Sequence, residues 1–262
     1  MQHLSDSYLF RFGGIARLYG QAALVKLSQA KVAVIGIGGV GSCTAEALVR
    51  TGVGEVTLYD LDDVCTSNIN RQLHALDTTV GKSKVEVMAE RLLQINPEAK
   101  INALSRFITL NNLAQELDQG FDVVIDAADS VPVKAGIINW CRRNKVGLVV
   151  VGGAGGQIDP WQITTTDLVR TTQDPLLARV RNLLRRDYGF TRDTKKRFNV
   201  ECVYSTEQLA YPQADGSVAC RKPEAGEALK LDCASGFGSA SFVTGTFGLV
   251  AAQRAIARLV RN

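Results

Sequence analysis

Residues 31–84 read KVAVIGIGGVGSCTAEALVRTGVGEVTLYDLDDVCTSNINRQLHALDTTVGKSK. The apolar run at 32–35 has β-strand character, and the chain then turns through Gly36, Gly38 and Gly41 in the order G-x-G-x-x-G before helical spacing begins. Such a turn binds phosphate. Gly36 permits the bend, Gly38 brings the backbone close to an anion, and Gly41 lets the following helix lie against the strand. The N–H groups at the helix N-terminus then face the anion. A second β-run at 55–59 ends in Asp60, 24 residues past Gly36, near the spacing of a ribose-binding carboxylate. The expected fold is therefore α/β: a Rossmann-like, mostly parallel doubly wound sheet with helices on both faces. Up to this residue a nicotinamide or flavin enzyme fits as well as one that uses ATP.

The residues beyond Asp60 favour ATP. Asp62, Ser67, Asn68, Arg71, Gln72, Gly81 and Lys84 form a polar and cationic set that a dinucleotide dehydrogenase does not need here. Arg71 and Lys84 can neutralise a triphosphate and the charge that builds during nucleotidyl transfer. Each residue alone is compatible with a surface ion pair or a solvated helix position; their grouping carries the reading.

Composition sets the frame. The chain has 262 residues, 46% hydrophobic and 21% charged, enough to bury one large α/β core. No linker, repeat or low-complexity tract divides it, so residues 1–262 are read as a single domain. The net charge of +4 hides an asymmetry: residues 170–197 hold nine Lys and Arg against three Asp. This basic insertion is expected to contain a helix begun by Asp174 and Pro175. Leu176, Leu177, Val180, Leu183 and Leu184 would lie on one face, with Arg179, Arg181, Arg185 and Arg186 on the other, followed by Arg192, Lys195, Lys196 and Arg197. Arginine rows suit nucleic-acid phosphates, although a solvated charged face is the plainer meaning. Six cysteines form no C-x-x-C pair and no signal-peptide pattern opens the chain, which fits a reducing cytoplasm.

Elsewhere, residues 8–30 have helical character. Residues 85–95 carry apolar positions at helical spacing, with Asn96-Pro97 as the stop and Lys84 in the first turn. The buried-strand pattern FDVVIDA at 121–127 delivers Asp126 and Asp129 to its C-terminal end, where either can meet a ligand and Asp126 can instead cap the next helix. Five small residues at 152–156, four of them glycine, follow another apolar strand and imply a close backbone approach or a sharp turn. Residues 234–253 carry no charge. Their glycines, serines and threonines disfavour a membrane span, and a buried helix at a homodimer interface is expected instead.

GIGGVGS at 36–42, TGVGEVTLYDLDDV at 51–64, SNINRQ at 67–72, VGKSKVE at 80–86 and INPEAKI at 95–101 resemble the ThiF, MoeB and HesA branch of the ubiquitin-activating superfamily, whose members adenylate a carboxylate. RFGGIARLYG at 11–20, GGAGGQIDP at 152–160, STEQLAYPQADGSV at 205–218 and DCASGFGSAS at 232–241 resemble the members that cyclise threonylcarbamoyladenosine on tRNA; the likeness runs from about residue 8 to 260. It implies an ATP-dependent dehydration through an acyl adenylate. Gly36, Gly38, Gly39, Gly41, Asp60, Asp62, Asn68, Arg71, Gln72 and Lys84 would bind ATP, with Arg71, Lys84 and Asp129 catalytic and Asp129 holding magnesium. It also implies a homodimer in which an arginine near the N-terminus, Arg11 or Arg17, reaches the partner's ATP; a monovalent cation, sodium or potassium, on the glycine-rich loop; and cysteine desulfurase or sulfur-acceptor partners. Many relatives hold a structural zinc on two C-x-x-C pairs, which this chain lacks. The alternative is adenylation of the C-terminal glycine of a ubiquitin-like sulfur carrier. Cys233 and Cys202 are the positions a thiol mechanism would use, and the expectation is that neither is acylated, because ring closure is intramolecular.

Overall fold

In the computed structural model, residues 4–213, 215–221 and 237–261 are described. Two helices, α1 (Asp6–Tyr19) and α2 (Gln21–Gln29), precede strand β1 (Lys31–Ile35). The chain continues through α3 (Gly39–Arg50), β2 (Glu55–Asp60), α4 (Lys84–Ile95), β3 (Lys100–Ser105), α5 (Leu113–Leu117), β4 (Val123–Asp126), α6 (Val131–Asn144) and β5 (Gly147–Val151). It ends with β6 (Ile163–Asp167), α7 (Pro175–Asp187), β7 (Glu201–Ser205), a small ribbon of β8 (Tyr211–Pro212) and β9 (Val218–Ala219), and α8 (Ser241–Arg261).

The seven-stranded sheet has the order β3-β2-β1-β4-β5-β7-β6, parallel throughout except for β6, which pairs antiparallel with β7. The strands between the edges are buried on both faces, which is why they read as near-continuous Val, Ile and Leu. One face carries α3, α4 and α8 over a core that includes Val34, Leu48, Met88 and Phe247. The other carries α5, α6 and α7 over Ile35, Ile137, Leu177 and Phe198. Connections leave β1 toward β2 and β4 on opposite sides, so a crevice opens beyond the C-terminal ends of β1 and β4.

Helix α8 is buried on one side within its own chain: Val243, Phe247, Ala251, Ala255 and Leu259 recur every four residues and pack into the sheet. Only one side is left to solvent, with Phe242 and Leu249 more than half exposed. Among the described residues no helix is long and apolar enough to cross a membrane. The helix expected in the basic segment is α7, capped by Asp174 with Pro175 as its first residue. Leu176, Leu177, Val180 and Leu184 of α7 are buried and close the second face of the sheet beside α6.

Candidate functional site: a nucleotide-binding crevice

The glycine turn sits at the crevice. Gly36 has φ +85°, a left-handed conformation that a side chain would strain, and lies against the backbone of Ala127 and Ala128 after β4. Gly38 is the N-cap residue of α3, and a β-carbon at Gly41 would collide with the Gly36 carbonyl. A β-carbon at Gly39 would come within 3.0 Å of the Arg71 carbonyl and the Thr244 side chain, so the segment after β2 and the start of α8 both press on the start of α3. Three separate parts of the chain thus frame one row of free N–H groups.

Asp60 fastens the turn. Its carboxylate accepts from the Ile37 N–H at 2.7 Å and the Asp62 N–H at 2.9 Å. Burial raises its pKa, against the pull of those two N–H groups and of Lys84. Each oxygen keeps a lone pair, so the same carboxylate can still accept a ribose hydroxyl.

Lys84 is not at the surface, as a solvated helix residue would be. Its ammonium is buried and donates to the exposed Asp62 carboxylate at 2.9 Å, while its backbone N–H donates to the Asp62 carbonyl. Asp62 therefore holds the lysine at the mouth of the crevice. Arg71 is half-buried and donates to the Ser67 carbonyl at 2.8 Å and to Asn70 Oδ1 at 2.9 Å. Asn68 is buried and braces this segment by accepting the Cys65 N–H. Gln72 is buried beside Gly38, and its Oε1 has no protein partner. An unsatisfied buried acceptor beside a phosphate-binding turn fits a ligand that donates a hydrogen bond.

Asp129 is exposed, two residues beyond the Ala127 backbone that touches Gly36, and it makes no ion pair with a described residue. Asp126 is a different matter. It does not cap α6, whose N-cap is Ser130. It is wholly buried and pairs at 2.9 Å with Lys134, itself fully buried, whose ammonium also donates to the Asp126 carbonyl. Burial raises the Asp126 pKa while Lys134 pulls it down. Sequence reading missed Lys134; a lysine at the fourth position of a helix whose neighbours are apolar was its only signal.

His74 was missed as well. It is buried near Lys84 and Arg91, neither ring nitrogen has a protein partner, and its pKa is lowered to about 4, first by burial and then by the two cations. The ring is neutral at any ordinary pH.

Arg17 lies outside the crevice of its own chain. Helix α1 packs against the opposite edge of the sheet: Tyr8 donates to the Gly52 carbonyl before β2, and Arg11 donates to the Ile95 carbonyl at the end of α4. Arg17 folds back toward Gly13 and Gly14. In the glycine-rich loop, the Gly153 carbonyl accepts from the Gln157 side chain and the Gly156 carbonyl from the Ala210 N–H. Cys202 is fully buried in β7 with its thiol pKa pushed well up by burial, as for a small core residue. Cys233 lies outside the described residues.

The arginines of α7 are also redistributed. Arg181 turns inward, donating to the Thr171 side chain and carbonyl, and the Arg185 guanidinium sits 5.5 Å from the Phe198 ring centre. Arg186 pairs with Asp187 at 2.6 Å. Arg192, Lys195, Lys196 and Arg197 remain exposed.

Residues 14–262 match the model of the ThiF family. The chain belongs to the ThiF family. Among similar ThiF-fold proteins, the tRNA threonylcarbamoyladenosine dehydratase of Escherichia coli (strain K12) is 53% identical over 257 residues, covering 98% of this chain and 96% of that protein. The protein of the same name from Haemophilus influenzae is 48% identical over the same shares of both chains. The crystal structure of the E. coli dehydratase, TcdA, in complex with ATP superposes with a TM-score of 0.88 at 49% identity and covers 99% of this chain and 98% of that one.

Proposed function

We propose that this chain is an ATP-dependent enzyme that dehydrates threonylcarbamoyladenosine on tRNA to its cyclic form. The carrying observation is the near-full-length likeness to dehydratases of that name, which extends beyond the nucleotide turn through α7 and into α8. In this reading the threonyl carboxylate attacks the α-phosphorus of ATP, pyrophosphate leaves, and an acyl adenylate forms. The neighbouring carbamoyl group then attacks the activated carbonyl and expels AMP. The net change is loss of one water. Because ring closure is intramolecular, effective molarity supplies much of the second step, and the chain's main task is activation.

The residues divide that task. The glycine turn and the N-terminus of α3 cradle phosphate, with Asp60 holding the turn closed from beneath. Lys84, oriented by Asp62, and Arg71 balance the charge that grows on the α-phosphate and on departing pyrophosphate. Asp129 would hold magnesium, which is commonly bound through one or two carboxylates together with phosphate oxygens and water and would supply positive charge against the phosphates. The chain works as a homodimer in which Arg17 of one protomer serves the other's nucleotide, consistent with its place at the far edge of its own sheet.

The test is direct. Incubation with ATP, magnesium and tRNA bearing threonylcarbamoyladenosine should yield, by mass spectrometry, a nucleoside lighter by one water, together with AMP and pyrophosphate. Pyrophosphate exchange that requires a sulfur-carrier protein and ignores tRNA would replace this reading with the carrier-activating one.

A further inference from the structure

A hollow of about 1500 Å³ lies away from the nucleotide turn. It opens at the opposite edge of the sheet, where β4, β5 and β7 begin and α6 and α8 end. Eight of its lining residues are Lys or Arg and three are carboxylates, and the carboxylates are already engaged. Asp122 accepts the Lys31 N–H, Asp167 accepts the N–H groups of Phe198 and Val200, and Glu201 is shared by Arg254 and Arg258. Lys145, Arg170, Arg197 and Arg261 are exposed and have no carboxylate partner among the described residues.

Cations in the last turn of a helix are ordinary, because they oppose the carbonyl end of the dipole, and that accounts for Arg142, Arg258 and Arg261. It does not account for Arg170, in the turn after β6, or Arg197, in the loop before β7. These two are the ends of the basic segment. Two of its middle arginines, Arg181 and Arg185, are engaged by Thr171 and Phe198, whereas both ends of the segment meet at this hollow.

We infer that this hollow is a docking surface for the phosphate backbone of the tRNA substrate, remote from the reacting nucleoside; the inference rests on the tRNA-modifying reading above. The chemistry separates this occupant from others. The hollow exceeds the roughly 300–1000 Å³ of a small-molecule site, and its cations come from four separate elements, which suits an extended polyanion. None of the large exposed apolar side chains lines it, whereas the core of a protein-binding surface is usually rich in them. Parallel strands of four to six residues place it roughly 15–20 Å from the glycine turn, a span that one tRNA arm covers.

The test compares full-length protein with the triple variant Lys145→Gln, Arg170→Gln, Arg197→Gln. A second variant, Arg50→Gln, Lys100→Gln, Arg106→Gln, removes equal charge from cations already paired with Glu46, Glu55 and Glu116. Filter binding of tRNA across a salt series should show the hollow variant about tenfold or more weaker at low salt. Its plot of log affinity against log salt should be shallower by about 2. ATP affinity should be unchanged, and the control variant should stay near the parent for tRNA. Equal tRNA affinity and slope in hollow variant and parent, or equal losses in both variants, would overturn the docking surface while leaving the dehydratase reading intact. A parent that binds no tRNA would overturn both.

Discussion

Lys84 and Asp62 show how one pair divides labour. The lysine is buried and the aspartate exposed, so the cost of desolvating the ammonium is offset by a carboxylate that water can still reach. Lys84→Met keeps the packed aliphatic stem and removes only the charge. Adenylation should fall about 100-fold or more, with the melting temperature within a few degrees of the parent. Wild-type turnover in that variant would remove Lys84 from the mechanism. Asp129→Ala should behave differently: its deficit should shrink as magnesium is raised, and a deficit independent of magnesium would exclude metal binding there. His74 gives a signature in stability. Its folded pKa of about 4 lies below the ordinary 6.5, so on acidification the unfolded chain takes up this proton first. The stabilisation is fully present above about pH 6.5 and is lost as pH falls toward 4, on the order of 3 kcal/mol in total. Because neither ring nitrogen has a protein partner, His74→Phe sacrifices no hydrogen bond. Denaturant melts from pH 7 to 4 should show a shallower acid loss in the variant; parallel curves would mean that His74 is protonated in the folded state.

At the scale of elements, the contact between α3 and α8 joins the nucleotide turn to the C-terminal helix. A β-carbon at Gly248 would meet the Val40 carbonyl at 2.5 Å and the Cys43 β-carbon at 2.7 Å, neither of which can move without its helix. At Gly245 the nearest atom is Cys43 Sγ at 3.8 Å, an ordinary contact. Gly248→Ala should therefore cost about 1–3 kcal/mol by overpacking, and weaken ATP binding because α3 carries the phosphate-facing N–H groups. Gly245→Ala should be neutral or slightly stabilising, since alanine favours the helix. Thermal melts and ATP titrations on the two variants check this, and equal effects would refute the packing argument. The same contact shows what the small residues of α8 do: they let two helices of one chain approach closely.

At the scale of the whole molecule, the position of Arg17 makes the dimer testable. Arg17→Ala and Lys84→Met would each be inactive as homodimers. Mixed dimers place both defects in one site and leave the other whole, so an equimolar mixture should regain about one quarter of wild-type turnover after subunit exchange. No recovery would mean that Arg17 acts within its own chain or not at all. The sequence by itself determined the glycine turn, the alternation of strand and helix, the grouping of Asp62, Arg71 and Lys84, and the basic segment, because each rests on local spacing or on side-chain type. Which residues are buried, and against what, was decided only by the tertiary structure. Lys84 goes inside because α4 starts beneath the Asp62 carbonyl, and Asp126 is drawn to Lys134 because β4 and α6 enclose both. Arg181 and Arg185 of α7 turn away from solvent because Thr171 and Phe198 lie within reach, while Arg186 stays exposed beside Asp187. Such partners are distant in sequence or hidden by packing, and pairing energy depends on the distance and dielectric that only the folded chain fixes.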